Sequence, residues 1–320
     1  MMPIQFHRRQ ILLAGGAAVV GTLTSSVETL AAPDTDRNRP ANEPFGYCLN
    51  MSTIRGQKLS LSEQVDVAAK AGYHAIEPWI REIQEFADKG GKLADVKKQI
   101  ADAGMTVESA IGFANWIVDD DQQRAKGLET ARHDMDLVRQ IGGIRIAAPP
   151  AGATKQADLN LFSAAERYHA LLELGKEMGV TPQVELWGFS QSMKRLGELV
   201  FVAAESGHPD ACMLPDVYHI YKGGSDFEGL RMINGAAIHV FHMNDYPDNP
   251  PRATIGDAHR VYPGDGVAPL SKILRDIDAS GFRGMLSLEL FNRDYWQQDA
   301  LDVARTGLEK MREAVQKAFA

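Results

Sequence analysis

The sequence of 320 residues predicts an α/β fold, a (β/α)8 TIM barrel forming a single domain behind an N-terminal export signal. Three observations predict it. From Phe45 to the C-terminus, short apolar runs alternate eight times with helix-length amphipathic segments. The runs are short and apolar, as expected of parallel strands covered on both faces. Several helical segments stop at a glycine just before the next run, which suits the turn from a helix into a parallel strand. An open doubly wound sheet is the competing architecture. It is disfavoured because no glycine-rich phosphate loop follows the first strand.

Taken in order, residues 1–32 fall outside the barrel. HRRQILLAGGAAVVGTL places Arg8 and Arg9 before a stretch of small apolar residues, and Ala31 and Ala32 suit a signal-peptidase site. The pattern reads as a twin-arginine-type signal peptide, so the protein is expected to be periplasmic or secreted. Residues 33–44, PDTDRNRPANEP, read as a disordered linker. The barrel then occupies 45–320. Its expected strands are FGYCLNMS (45–52), HAIEPW (74–79), MTVESAIGF (105–113), GIRIAAPP (143–150), PQVELWG (182–188), ACMLPD (211–216), AIHVFHMND (237–245) and GMLSLELF (284–291). Expected helices fill 59–73, 92–104, 121–141, 161–179, 192–207, 226–234, 267–281 and 298–319. Ser60 or Ser62 can cap the first of them, and Gly72 stops it.

A formal charge of −8 argues against a nucleic-acid groove, which needs clustered Lys and Arg. Cys48 and Cys212 both lie in apolar runs and read as buried free thiols rather than a disulfide.

Residues at the carboxyl ends of barrel strands converge on one mouth. Four successive strands end in a ligand-type residue: Glu185, Asp216, His242 and Glu289. Singly, each could be a cap, a salt-bridge partner or a core histidine. Together they form a mixed oxygen and nitrogen set without thiolates. That set suits one divalent ion, with Mn2+ preferred over Co2+, Mg2+ or Zn2+. Glu77, at the end of the second strand, and Glu108, in the third, are further mouth candidates. Trp187 could form an apolar wall, and His219 and Arg260 form the expected substrate-holding pair, Arg260 preceding the turn VYPGDG.

These residues sit in stretches that resemble a known family: CLNMST, GYHAIEPW, VELWGFSQS, PDVYHIYKGGS, FHMND, DAHRVYPGDG and LSLELFNRDYW. The chain from about residue 45 onward resembles the xylose isomerase-like TIM barrels known as sugar phosphate isomerases/epimerases, and among them the inosose (2-keto-myo-inositol) isomerases. The resemblance implies that Glu185, Asp216, His242 and Glu289 bind one divalent metal. It also implies that Glu185 and Glu289 act as acid and base, and that His219 and Arg260 hold the substrate; Glu77 and Trp187 are the further substrate-binding candidates. The expected partner is a small keto-sugar or keto-polyol. A homo-oligomer is allowed, and no stable membrane association is expected after signal cleavage. The three-metal endonucleases of the same superfamily need extra histidines where Glu77 and Glu108 stand. The leading expectation is isomerisation or epimerisation through an enediolate. A lyase or dehydratase acting on an inosose or a 3-keto-glycoside would use the same residues. An exported carbohydrate-binding protein is the third expectation, since fold alone does not fix function.

Overall fold

The computed structural model describes residues 43–320. The signal expected in 1–32 and all but the last two residues of the linker expected in 33–44 lie outside them. Glu43, one of those two, pairs with Arg312 at 3.6 Å.

Eight parallel strands form the barrel wall: β1 Gly46–Asn50, β2 Ala75–Glu77, β3 Thr106–Val107, β4 Arg145–Ala148, β5 Thr181–Glu185, β6 Met213–Leu214, β7 Val240–Met243 and β8 Met285–Leu288. They pair in the orders β3-β2-β1-β8-β7 and β4-β5-β6. Single bridges close the remaining seams. Asp216 pairs with His242 and Met213 with Ile238, joining β6 to β7. Ala110, just past β3, exchanges backbone hydrogen bonds of 3.2 and 2.8 Å with the segment Arg145–Ala147. The strands are shorter than the apolar runs because proline follows several of them. Pro78, Pro149 and Pro215 cannot donate to a ladder.

Nine helices are described: α1 Leu61–Ala71, α2 Ile80–Asp88, α3 Leu93–Asp102, α4 Asp121–Gln140, α5 Leu161–Met178, α6 Leu196–Glu205, α7 Val217–Gly223, α8 Leu270–Ala279 and α9 Ala300–Phe319. Ser60 caps α1 in a reciprocal capping box with Glu63. Gly72 ends that helix at φ 93°, a left-handed conformation that favours glycine. The sequence reading missed α2, a helix of nine residues that follows β2 after only Pro78 and Trp79, although Ile80, Ile83, Phe86 and Ala87 give it an apolar stripe. It also read α7 as a loop. The segment near 226–234 is a 3-10 turn at Phe227–Met232. Cys48 and Cys212 are free and buried.

Asp134 on α4 gives a first prediction. It is 6% exposed. Burial pushes its carboxyl up to about 6, which His133 offsets only in part. A carboxyl raised above its ordinary value stabilises the fold while protonated, fully below about pH 4, and loses that contribution as pH rises through 6. Asp134→Asn is therefore expected to stabilise the protein by about 1–2 kcal/mol at pH 8, with a much smaller gain at pH 4.5. Urea unfolding at both pH values checks this, and equal shifts would contradict it.

Candidate metal centre and substrate mouth

The four ligand candidates of β5 to β8 meet at one point. His242 Nδ1 lies 3.3 Å from Glu289 Oε2, 3.6 Å from Asp216 Oδ2 and 3.9 Å from Glu185 Oε1. One ligand atom from each of Asp216, His242 and Glu289 fits within 4.8 Å of the others. All four residues are buried, with exposures of 0–4%. The backbone places them. Asp216 and His242 pair directly across the β6–β7 seam, and Glu289 N donates to Met243 O just past the β7–β8 ladder.

Asp216 has two tasks. Its Oδ1 caps α7 by accepting the His219 N–H at 2.7 Å, while Oδ2 accepts from Asn244 at 3.1 Å and Arg260 at 2.9 Å. The carboxylate therefore ends the strand, starts the next helix and faces the mouth at once. Burial pushes its pKa up, but Arg260, His219 and His242 outweigh that and hold it well below the usual carboxylate range.

Glu77 sits beneath the centre, fully buried, and does not line the substrate space as expected. Its Oε2 accepts from Ser287 Oγ at 2.7 Å and Asn50 Nδ2 at 2.9 Å, and it lies 3.0 Å from His242 Nε2. That contact holds Nε2 toward Glu77 and turns Nδ1 toward the other three carboxylates. A carboxylate behind a ligating histidine commonly orients the ring in this way. Among the described residues, His242 Nδ1 has no hydrogen-bond partner of its own. Burial lowers the His242 pKa, but Glu289 and Glu77 dominate and raise it well above its ordinary value. Glu185 is pushed well above its range by burial, with Glu289 and Asp216 adding repulsion. Glu108 is also not at the mouth. It pairs with Arg145 at 3.2 Å in the barrel interior and accepts from Thr106 Oγ1 at 2.7 Å.

The donor set fits a divalent cation. Glu77, Glu185, Asp216 and Glu289 bring four carboxylates to one buried volume. Among the described residues, Arg260 and the protonated His242 ring offset them when no ion is bound, and buried charge needs compensation. An imidazole nitrogen facing three carboxylates, which would release its proton as an ion binds, is the arrangement such an ion requires.

His219 and Arg260 stand side by side above this centre. Arg260 is 1% exposed. Its Nη1 donates to Asp216 Oδ2 and, at 2.8 Å, to Glu289 Oε2, and Nη2 donates to Asp257 at 2.7 Å. His219 Nδ1 accepts the Gly188 N–H at 3.3 Å. An imidazole accepting at Nδ1 carries its proton on Nε2. Burial and Arg260 keep it neutral by lowering its pKa, against the pull of Asp216. Arg260 Nη2 lies 3.1 Å from His219 Nε2; a guanidinium only donates, so this contact and the Gly188 contact compete for the one lone pair of the neutral ring.

Trp187 is half-buried at the rim. Its ring stacks on Phe189 at 5.2 Å and lies 5.8 Å from Phe113. The sequence reading assigned no role to Asn50, Ser287, Asn244, Phe113 or Phe189. Each lies within two residues of a strand end or of a residue already singled out, which was the available signal.

The family model for the xylose isomerase-like TIM barrel matches residues 65–314, and the chain belongs to that family. It is 24% identical over 280 residues to an inosose isomerase of Bacillus velezensis, covering 85% of this chain and 98% of the relative. It is 24% identical over 273 residues to a fructoselysine 3-epimerase of Escherichia coli O157:H7, covering 82% and 96%. A 3-dehydroshikimate dehydratase of Pseudomonas putida is 23% identical over 254 residues, covering 79% of this chain and 39% of the relative. Among solved structures, the IOLI protein with a bound zinc atom superposes with a TM-score of 0.79 at 21% identity, covering 86% of this chain and 99% of that one.

Proposed function

We propose that the protein is an enzyme that isomerises or epimerises a small keto-sugar or keto-polyol with one divalent metal ion. The observation that carries this reading is the unpartnered Nδ1 of His242 facing Glu185, Asp216 and Glu289. These four residues would hold the ion. When bound, it supplies Lewis acidity toward the substrate carbonyl and offsets the negative charge that grows as the α-carbon loses its proton.

The chain's own groups supply the rest. Glu185 and Glu289 approach from strands three places apart in the barrel, so one carboxylate can take the α-proton and the other can return it. His219 and Arg260, fixed against each other, would hold a substrate oxygen at the mouth and stabilise charge there. Arg260 also ties Asp216 to Glu289, and Asn50 Nδ2 reaches both Glu77 and Glu289, at 2.9 and 3.3 Å. The isomerase and epimerase relatives support a small keto compound as substrate. The dehydratase relatives favour a second reading, in which the same enolised substrate expels a β-substituent.

The test uses purified protein, assayed for metal content and incubated with a panel of keto-polyols in D2O. Isomerisation would give deuterated product of unchanged formula, whereas elimination would give an enone absorbing in the near ultraviolet. Chelation is expected to cut the rate at least about a hundredfold, with recovery on adding Mn2+, Co2+ or Zn2+. Full activity in metal-stripped protein would defeat the metal-dependent reading.

A further inference from the structure

The buried polar centre accounts for one reacting ring but not for the apolar wall beside it. Trp79, Phe113, Trp187 and Phe189 stand in a row, with ring-centre steps of 5.2, 5.8 and 5.2 Å. The row is joined to the centre at both ends. Phe189 lies 5.9 Å from the His219 ring, beside Arg260. Trp79 Nε1 donates to Asn50 Oδ1 at 3.0 Å, and Asn50 reaches Glu289. Phe113 is 44% exposed and Phe189 51% exposed. Large apolar side chains held in the open, in one row and against a polar site, mark a binding surface rather than core.

A second observation points to what lies there. Arg55 stacks its guanidinium over Trp79 at 3.5 Å and lies 5.6 Å from Phe291. Its Nε and Nη2 are buried without a hydrogen-bond partner. Glu82, its ion-pair partner, stands at 3.8 Å, too far for a hydrogen bond. Unmet donors at one end of an aromatic row suit a ligand with a flat apolar face and hydroxyl oxygens at its edge. Four rings in a row also reach further than one six-membered ring can cover.

We infer that the mouth carries a second subsite, built by Trp79, Phe113, Trp187, Phe189 and Arg55, for a ring attached to the one that reacts. Its occupant is a glycosyl ring, whose C–H face lies on the aromatics and whose hydroxyls accept from Arg55. This deepens the proposed function and rests on its reading of the mouth as a sugar or polyol site.

Calorimetric titration of the full-length protein, metal-loaded and metal-stripped, with glucose, cellobiose and phenyl β-D-glucopyranoside tests it. Cellobiose is expected to bind at least about tenfold more tightly than glucose, and more tightly than the phenyl glucoside. Phe113→Ala and Phe189→Ala should each shrink the cellobiose-to-glucose ratio at least about threefold. A phenyl glucoside that binds more tightly than cellobiose would overturn the glycosyl assignment in favour of an aromatic aglycone. Equal affinities for all three probes, or a ratio unmoved by both variants, would overturn the subsite. The wild-type ratio decides even where a variant folds poorly. Turnover plays no part in this readout, so failure of the keto-polyol panel and failure of the subsite are separate results.

Discussion

Glu289→Gln is expected to lower turnover on the order of a thousandfold, and Glu185→Gln by a similar factor, with the fold retained. Both substitutions keep shape and volume in positions that are 3–4% exposed. Each removes a charged oxygen beside His242 Nδ1 and the group that would carry a proton. Glu289 also gives up its charge-assisted contact with Arg260 at 2.8 Å. Stability should move the other way. Four carboxylates repel one another in this buried volume, so losing one of them stabilises the metal-free protein. Glu185→Gln should show this more clearly, because among the described residues no hydrogen bond to Glu185 favours its charged form and burial already pushes its carboxyl well above its range. The signature is therefore a large fall in kcat with an unchanged or raised Tm in chelator. A fall in activity matched by a fall in Tm would mean that the two glutamates serve packing, and a kcat within tenfold of wild type would remove them from the chemistry.

Asp245→Ala should produce the second large effect, through the loop that carries Arg260. Asp245 is 1% exposed, and its carboxylate is wrapped by the turn VYPGDG and its flanks. Oδ1 accepts from Tyr246 N at 2.8 Å and Ala268 N at 2.9 Å, and Oδ2 accepts from Gly264 N at 3.0 Å and Gly266 N at 3.2 Å. Its backbone exchanges hydrogen bonds of 3.0 and 2.9 Å with Val261, the residue after Arg260. The wrapping is tight, since a Cβ on Gly266 would come within 2.3 Å of Asp245 Oδ1. Truncation leaves four N–H groups without their acceptor, which should cost about 2–4 kcal/mol of stability. Arg260 would lose its fixed place, so kcat/KM should fall about a hundredfold. Asp245→Asn keeps one acceptor oxygen and should fall between wild type and alanine in both measurements. Denaturant unfolding and steady-state kinetics check this. Stability within 0.5 kcal/mol together with kinetics within about twofold would contradict the loop's dependence on that carboxylate.

Much of the site could be read before any fold was in view. An apolar run that stops abruptly at Glu185, Asp216, His242 or Glu289 is a local pattern, and barrel geometry alone brings four such stops to one mouth. His219 was legible three residues past the stop at Asp216, and Arg260 from its place before the turn VYPGDG. Glu77 was legible as a strand-ending acid but not as the residue behind His242. That contact spans 165 positions of sequence and depends on the height of each side chain in the barrel. Glu108 misled for the same reason, since its partner Arg145 lies on the neighbouring strand. The helices α2 and α7 were missed because both are short and follow a strand at once, α2 after only Pro78 and Trp79 and α7 capped by the strand-ending Asp216 itself.

The order of elements, the parallel barrel and the identity of the strand-ending residues follow from the sequence, because periodicity and turn chemistry act over a few residues. The contact of Glu77 with His242, the pairing of His219 with Arg260, and the row from Trp79 to Phe189 were decided by the tertiary structure. Each depends on groups brought within hydrogen-bonding or stacking distance from distant parts of the chain, and no local pattern encodes such a distance.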